Sequence, residues 1–407
     1  MKILQVHNKY KISGGEWTVF NQEYDLLKQH HSVEQLIVDN RKEISSIFDK
    51  LKLVFSTHYN KSSKKWMKKK LEEGRPDLMH VHNFFPLLTP SIFDAAREAG
   101  IPSVLTLHNF RLIHPNGLMY HKGKIDTRSV TGSAYRCVSD AVYRDSKLQT
   151  AVVAHMIEYH RKHETWKRVP TLFIALTEFS KQKFIEGGLP GDRIVVKPNF
   201  IEDPVKKNPG LMESNTSKSQ FIYVGRISHE KGIEDLLDCW MKHNIEAKLV
   251  ITGDGPLRKK LEKKTAAFSQ IQWLGEIPRN DIITSLAESR ALIFPTRCFE
   301  GLPMILVEAM SVGCPVITSK IGNPRALVDH EVNGLHFEPG NTDHLHEQIR
   351  FIQQNEEETL KIGKRAREKY LNNFTPEQNY RQLLDIYRLA IEKEDQLRES
   401  KQGVFAT

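Results

Sequence analysis

Two glutamates eight positions apart, Glu300 and Glu308, lie in the stretch CFEGLPMILVEAM, residues 298–310. The apolar run ALIFP before them predicts a strand, and Pro303 suits a helix start because its missing N–H needs no partner there. Glu300 is then in a loop at the helix N-terminus, and Glu308 lies about one and a half turns into the helix. Carboxylates accept hydrogen bonds from sugar hydroxyls, so the two acids are suited to hold two polyols. A solvated loop acid and an ion-paired helix residue are the alternatives.

A pair of cations, Arg226 and Lys231, follows another predicted strand in FIYVGRISHEKGIEDLL, residues 221–237. The strand should end at Gly225, and a helix should begin after Gly232. A guanidinium binds phosphate oxygens through a rigid fork, an ammonium acts as a point charge, and a helix N-terminus adds backbone donors. The pattern suits a phosphate site, and two solvated surface cations are an equally simple explanation.

Glycines near the N-terminus repeat this arrangement. Gly14 and Gly15 follow the predicted strand KILQV and precede a helical stretch from Glu16 to His30. Because glycine lets a ligand approach the backbone amides, these positions suit an anion, while a simple turn is the alternative.

Short apolar runs alternate with amphipathic helical segments along most of the chain, which predicts parallel sheets covered by helices. The alternation stops in the polar stretch 202–219, which contains two prolines, and then restarts. We therefore expect a Rossmann-like domain at 1–200, a linker at 201–219 and a second Rossmann-like domain at 220–375. Residues 376–407 predict a long helix that packs back toward the N-terminal domain. Ligands of such sheets bind at the carboxyl ends of the strands, so we expect a cleft between the two domains.

Composition narrows the class of protein. The chain has 407 residues, 39% hydrophobic and 27% charged, which is typical of a soluble globular protein. Its formal net charge of +9 permits nucleic acid, anionic membrane or phosphorylated small molecules as partners. We find neither an apolar run long enough to span a bilayer nor a signal peptide. Four widely separated cysteines indicate reduced thiols, so we expect a cytoplasmic protein.

The densest basic stretch runs from Lys61 to Lys70. At helical spacing Trp66, Met67 and Leu71 would form a narrow apolar strip beside the lysines. A solvated helix face is the simple interpretation, and a patch that rests on anionic lipid at the inner face of a membrane is the alternative.

Histidines near two predicted strand ends raise the question of a metal. His80 and His82 share one strand, while His108 and His114 follow another. A zinc site would need further ligands, and neither cysteine nor carboxylate accompanies them at the usual spacing, so we predict no metal. We expect His80 to be packed and His82 to line the cleft. The long, poorly periodic segment 109–137 is expected to shape an acceptor site.

Together these motifs carry a family resemblance. EGLPMILVEAM resembles the Glu-x7-Glu motif of retaining glycosyltransferases of family 4, and YVGRISHEKG, ITGDGPLRKKL, WLGEIP and the N-terminal SGGEW are similar to that family in the same order. The resemblance covers nearly the whole chain and is strongest from 221 to 345. It implies an α/β GT-B fold of two doubly wound domains and a metal-independent reaction. This stretch has the shorter Glu-Gly-Leu-Pro form with the glutamate spacing intact.

The resemblance also implies roles for individual residues. Arg226 and Lys231 would bind the donor diphosphate, Glu300 would contact the donor sugar, and His108 would contact it from the first domain. On the donor side we expect, in addition, Gly15, Gly225, Ile277, Gly301, Leu302, Pro303 and, at the ribose, Glu308. On the acceptor side we expect Gly14, Glu16, Asn109 and Arg111.

The leading hypothesis is therefore an enzyme that transfers a sugar from a UDP- or GDP-linked donor, without a further cofactor, to a glycan or lipid-linked acceptor. Assembly of lipopolysaccharide, capsule or another cell-surface polysaccharide is the expected setting, and nucleic acid is not an expected partner. A related epimerase or hydrolase of nucleotide sugars, and a non-catalytic nucleotide-sugar binder, are the alternatives.

Overall fold

The computed structural model describes residues 1–10, 14–40, 54, 56–216 and 219–404. They form two compact units. The first unit comprises Met1–Leu118, Thr127–Pro198 and Asn379–Thr407, and the second comprises Met119–Asp126 and Asn199–Gln378. Among these residues, none of the helices combines the length and the apolar character that a membrane span requires.

The first unit contains a six-stranded parallel sheet of order β2-β1-β3-β4-β7-β8. Its strands are β1 Lys2–Lys9, β2 Ser32–Asp39, β3 Leu78–Asn83, β4 Ser103–Leu107, β7 Leu172–Ala175 and β8 Ile194–Val196. Its helices of eight or more residues are α1 Gly15–Leu27, α2 Lys61–Gly74, α3 Ser91–Glu98, α5 Lys147–Lys162, α7 Glu178–Glu186 and α16 Pro376–Val404. The short helices α4 Arg128–Thr131 and α6 Thr165–Arg168 complete the set.

The second unit repeats this plan with the strand order β11-β10-β9-β12-β13-β14, again all parallel. Its strands are β9 Gln220–Val224, β10 Lys248–Thr252, β11 Ile271–Gly275, β12 Ser289–Phe294, β13 Val316–Ser319 and β14 Leu335–Phe337, beside the hairpin β5 Tyr120–His121 and β6 Lys124–Ile125. Its helices are α8 Pro204–Lys207, α9 Ile233–Lys242, α10 Arg258–Thr265, α11 Arg279–Ala287, α12 Met304–Ser311, α13 Gly322–Leu327, α14 Thr342–Gln354 and α15 Glu356–Asn373.

The predicted doubly wound architecture is confirmed, and its two parallel sheets contain two strands that the sequence patterns missed. β2 and β14 lie at sheet edges. β2 is mostly exposed or half-buried, and β14 has only three residues, so neither produces a continuous apolar run. The interior strands of each sheet are mostly buried and apolar, which made them recognisable.

The C-terminal helix α16 packs within the first unit. Leu383, Ile386, Tyr387 and Ala390 belong to the same buried cluster as Ile3 at the start of β1. This contact gives the apolar face of α16 the partner surface that its sequence requires.

The order of strands determines where ligand-binding loops gather. In the second unit the chain first adds strands on one side of β9 and then continues from β12 on the other side, so β9 and β12 are neighbours at the reversal. In the first unit β1 and β3 are neighbours at the corresponding reversal. Doubly wound sheets bind ligands at this position, beyond the carboxyl ends of the strands.

Gly232 ends the loop after β9 and directly precedes α9. Its φ is +67°, and a Cβ atom there would lie 1.8 Å from the carbonyl oxygen of Pro295, which follows β12. Close approach of the two loops therefore requires glycine at this position.

We predict that Gly232→Ala destabilises the protein by clearly more than the roughly 1–2 kcal/mol that a left-handed backbone alone costs a residue with a Cβ atom. Gly340→Ala is the matched control, since Gly340 has φ +78° but its nearest neighbour would lie 3.7 Å from a Cβ. Urea unfolding of both variants measures the difference, and equal losses would contradict the steric explanation.

Candidate functional site

The loop after β9 carries the first predicted cation in an exposed position. Arg226 has no ion pair with any residue that the structure describes, and its backbone carbonyl accepts a 2.8 Å hydrogen bond from the Tyr223 hydroxyl. This hydrogen bond anchors the backbone at Arg226, while the guanidinium group of Arg226 is exposed to solvent. Such a group is available for an anion.

Lys231, at the other end of this loop, forms a partly buried ion pair with Glu300. Its Nζ lies 2.8 Å from each carboxylate oxygen, and the side chains are 24% and 9% exposed. Burial by itself would lower the pKa of Lys231, but the charge and hydrogen bonds of Glu300, together with other acidic neighbours, outweigh it and the pKa is raised. Lys231 is therefore an ammonium, and one of its three N–H donors remains after two are used by Glu300.

Glu300 is held by contacts that sequence reasoning missed. The Thr296 hydroxyl donates to Glu300 Oε1 at 2.7 Å, and the Asn323 side-chain amide donates to the carbonyls of Glu300 and Gly301 at 2.9 and 2.6 Å. These bonds support a backbone φ of +57° at Glu300, a conformation that is uncommon for a residue with a side chain and is often found at functional sites.

Glu308 is also paired, with an arginine that the sequence analysis did not select. Arg279 Nη2 lies 2.8 Å from Glu308 Oε1, and the glutamate side chain is 11% exposed. Burial raises the pKa of Glu308, and the charge of Arg279 opposes this. Arg279 is the first residue of α11 and follows, by two positions, the half-buried Ile277, which is the residue expected to contact the nucleotide base. The two residues are therefore close together along the chain.

The remaining donor-side positions follow the strand ends as expected. Gly225 comes directly after β9, and Leu302 and Pro303 are buried just before α12 begins at Met304. Gly301, the residue before Leu302, is half-buried.

In the first unit, two of the four predicted acceptor-side residues line one small cavity beyond β3 and β4. Asn109 and Arg111 contribute to it together with Tyr10, and His108 forms another part of the wall. The Arg111 guanidinium lies over the rings of Phe85 and Tyr143, and the Asn109 side chain accepts from the Arg111 backbone N–H at 3.0 Å.

Glu16 lies in the first turn of α1, close to this arginine. Burial raises its pKa to about 7, and the charge of Arg111 opposes the rise. At Gly14 and Gly15 a Cβ atom would have no neighbour within 4 Å among the described residues. Packing of the described residues therefore does not require glycine here, and the hypothesis of a closely approaching ligand stays a prediction.

Histidines at the same end of the first sheet are packed together. His80 is fully buried, as expected, and its two ring nitrogens contact the hydroxyls of Tyr387 and Thr106 at 2.8 Å. His82 lies 3.1 Å from His108 and 3.3 Å from Glu23, an acid that the sequence analysis did not select.

The segment 109–137 divides between the two units. Its first part lines the small cavity through Asn109 and Arg111, while the hairpin β5–β6 belongs to the second unit. Its predicted role at an acceptor site stays a prediction.

The basic stretch forms α2. The prediction that Trp66, Met67 and Leu71 form an apolar strip on its surface is wrong. Met67 and Leu71 are buried in the first unit because they face inward, and Trp66 alone of the three is exposed, at 38%. Lys64 pairs with Glu98 at 2.5 Å. The outer face of α2 is therefore basic with one aromatic side chain.

Comparison with known proteins identifies the family. Residues 47–203 match the family described as Glycosyltransferase Family 4, and residues 207–369 match Glycosyl transferases group 1, so the two matches together cover most of the chain. The chain belongs to the family 4 type of glycosyltransferases. The resemblance stated from the sequence is thereby confirmed at the level of the family.

Among its relatives is the lipopolysaccharide 1,6-galactosyltransferase of Escherichia coli, 31% identical over 44% of this chain and 52% of that protein. The amylovoran biosynthesis glycosyltransferase AmsK of Erwinia amylovora is 26% identical over 57% of this chain and 60% of that protein. The matches thus span little more than half the length of these curated relatives.

A solved structure of Anabaena HepE in complex with UDP and glucose has a TM-score of 0.64 and 18% identity, over 95% of this chain and 99% of that one. This likeness identifies the fold alone, and the predicted GT-B fold of two Rossmann-like domains is confirmed.

The raised pKa of Glu16 predicts a pH dependence of stability. A carboxyl that binds its proton more tightly when folded stabilises the protein below its unfolded pKa, near 4.5, and this contribution is lost as the pH rises to about 7. Between pH 4.5 and about 7, the free energy of unfolding of wild type should fall relative to that of Glu16→Gln. Above this range the difference between the two proteins should stay constant. Chemical denaturation at several pH values measures it, and Glu72→Gln, at an exposed position, is the control. A constant difference between wild type and Glu16→Gln would refute the shift.

Proposed function

We propose that the protein is a retaining glycosyltransferase that moves a sugar from a nucleoside-diphosphate sugar to a hydroxyl of a glycan or lipid-linked acceptor. The observation that carries the proposal is the edge formed by β9 and β12, where an exposed Arg226 shares a loop with Lys231 and the latter is tied to Glu300. Cations and a hydroxyl-binding carboxylate at one sheet edge are what a sugar diphosphate requires.

The reaction breaks the bond between the anomeric carbon and a diphosphate oxygen. The bonding electrons stay with the diphosphate, the sugar ring becomes oxocarbenium-like, and the acceptor oxygen attacks from the same face. A diphosphate oxygen takes the acceptor's proton. Arg226 and Lys231 stabilise the negative charge that develops on the leaving group, which is the task of a metal ion in other enzymes.

The paired glutamates are suited to bind hydroxyls while they remain charged. A carboxylate has about four acceptor sites, so Glu300 can accept from a donor-sugar hydroxyl while it keeps Lys231 and Thr296. In the same way Glu308 can accept from ribose hydroxyls while it keeps Arg279. The third N–H of Lys231 would then point to the diphosphate.

For the substrates, the names of the relatives support cell-surface polysaccharide assembly. One is a lipopolysaccharide galactosyltransferase, another acts in amylovoran biosynthesis, and the HepE structure contains UDP and glucose. We therefore propose a UDP- or GDP-linked sugar as donor and a lipopolysaccharide, capsule or related glycan as acceptor.

Arg226→Ala should reduce release of nucleoside diphosphate from the donor by roughly 10²–10³-fold in kcat, because one preplaced charge at the leaving group is lost. Since Arg226 is exposed and has no ion pair with a described residue, thermal stability should be unchanged. Lys231→Ala should reduce kcat at least as much and also lower stability, because Glu300 is left unpaired.

The assay uses purified protein with UDP-glucose, UDP-galactose and GDP-mannose, with and without membrane glycan extract. Lys260→Ala, an exposed cation on α10, is the control for charge alone. Turnover of both site variants at the wild-type rate would sink the proposal. Release that needs no acceptor would instead indicate the hydrolase alternative, and binding without turnover the non-catalytic one.

We further propose that α2 rests on the inner, anionic face of a membrane, where a lipid-linked acceptor would lie. Support comes from its outward lysines, among them Lys65 and Lys69, and from the exposed Trp66. Each lysine near such a surface contributes about 1 kcal/mol, and tryptophan favours the interface.

Sedimentation with vesicles of phosphatidylcholine alone and with added phosphatidylglycerol tests this contact. We expect binding only to the anionic vesicles, and roughly 30-fold weaker binding for Lys65→Gln/Lys69→Gln, because two lysine contributions of about 1 kcal/mol are lost. The exposed pair Lys259→Gln/Lys260→Gln on α10 is the control, and an equal loss in that variant would show that net charge alone is responsible.

A further inference from the structure

A buried chain of polar side chains crosses the first unit and ends at His108. Lys197 Nζ lies 2.8 Å from Glu23 Oε1, Glu23 Oε2 lies 3.3 Å from His82 Nε2, and His82 Nδ1 lies 3.1 Å from His108 Nε2. Glu23 on α1 and Lys197 after β8 are each 1% exposed. Burying both charges is costly, so the pair calls for an explanation beyond stability.

A metal ion is a poor explanation for this cluster. Glu23, His80 and His82 come within ligand distance of one another. However, the ammonium of Lys197 already neutralises the carboxylate, and both nitrogens of His80 have hydroxyl partners. A cation added beside Lys197 would be repelled by it.

The ion pair determines where the proton of His82 lies. Burial would raise the pKa of Glu23, but Lys197 and His82 outweigh it, and the pKa lies well below its ordinary value. Glu23 is thus a carboxylate and only accepts. His82 Nε2 lies 3.3 Å from this carboxylate, in an electrostatic contact that lacks hydrogen-bond geometry. A single ring proton is most stable on Nε2, where it faces the negative charge, and Nδ1 is then left as an acceptor.

His82 in turn determines the proton of His108. Burial, the largest cause, holds the pKa of His108 well below its ordinary value, so this ring is neutral. Its Nε2 faces the acceptor nitrogen of His82 and therefore carries the proton. The other nitrogen, Nδ1, has no hydrogen-bond partner among the described residues, and the ring lines the small cavity.

The other titratable groups around the chain favour the same state. His7 and His80 are buried and have lowered pKa values, and Tyr387 on α16 has a raised one, so all three are neutral near pH 7. Lys197 and Glu23 are then the charged pair of the cluster. A second proton on His82 would turn its Nδ1 into a donor and reverse the direction of its bond to His108.

We propose that Glu23 and Lys197 are positioning residues that act through His82 to hold His108 in its Nε2-protonated tautomer, with Nδ1 presented to the cavity as a hydrogen-bond acceptor. The ligand this nitrogen would take is a hydroxyl group, which donates to it. The assignment of that hydroxyl to a donor sugar rests on the proposed function.

Tautomers can be measured directly on the wild-type chain. In protein labelled with ¹⁵N-histidine, long-range ¹H–¹⁵N correlation spectra show which ring nitrogen carries the proton. His108→Gln and His82→Gln identify the two signals by their loss. We expect both rings to be neutral and protonated on Nε2. A His108 ring protonated on Nδ1, or on both nitrogens, would overturn the proposal whether or not the variants fold.

A charge-free variant tests the cause. Glu23→Gln/Lys197→Met removes both charges at similar volume, and the glutamine amide can either accept from or donate to His82. We expect a mixture of His108 tautomers and at least a roughly 10-fold lower kcat, because an imidazole in the wrong tautomer is a poor partner. Wild-type tautomers in the folded double variant would refute the role of the ion pair.

Leu27→Ala separates this effect from simple destabilisation. Leu27 is fully buried in the apolar core cluster of the same unit, one turn after Glu23 on α1, and its side chain has no hydrogen-bonding group. Leu27→Ala should lower the unfolding temperature of the protein while leaving kcat and the tautomers of His82 and His108 unchanged. If wild type releases nucleoside diphosphate from no donor, the proposed function fails, but the spectra still decide the tautomer of His108.

Discussion

Parallel pairing of β9 with β12 is the constraint on which the candidate site depends. Parallel strands end at the same edge of a sheet, so the loops that follow them meet although about 70 residues separate them in sequence. Through this pairing Lys231 reaches Glu300, and Gly232 lies against Pro295. A change in the order of strands would separate all four groups.

Buried ion pairs lie near the carboxyl ends of the strands in both units. Lys231 pairs with Glu300 in the second unit, and Lys197 pairs with Glu23 in the first. Pairs of this kind contribute little net stability, because desolvation offsets their attraction, but loss of one partner is expensive. Their value lies in geometry: a charged group with a fixed partner keeps its protonation state and its orientation. The strained backbone of Glu300 has the same character, since hydrogen bonds from Asn323 hold it in place.

The family type, the fold and the loops that carry charge could be predicted because they depend on local patterns. Buried parallel strands are continuous apolar runs, and a polar or glycine-containing loop after such a run is visible in the sequence. Arg226, Lys231 and Glu300 were found in this way. The partners Arg279, Asn323 and Glu23 were not found, because each lies on an otherwise ordinary helix and nothing in its neighbours distinguishes it. The prediction of an exposed apolar strip on α2 was wrong for a related reason. Helical spacing shows that Met67 and Leu71 share a face of the helix, but it does not show whether other elements cover that face.

The sequence by itself determined the two doubly wound sheets, the positions of the cationic and acidic loops at strand ends, and the membership in a family of glycosyltransferases. Only the tertiary structure decided which charge meets which. It paired Lys231 with Glu300 and Arg279 with Glu308, and it connected His108 through His82 to a buried ion pair. The physical reason is that hydrophobic periodicity encodes which face of each element is buried, whereas a hydrogen bond or ion pair depends on distances of a few ångströms between elements distant in sequence, and these are set only when the sheets are assembled.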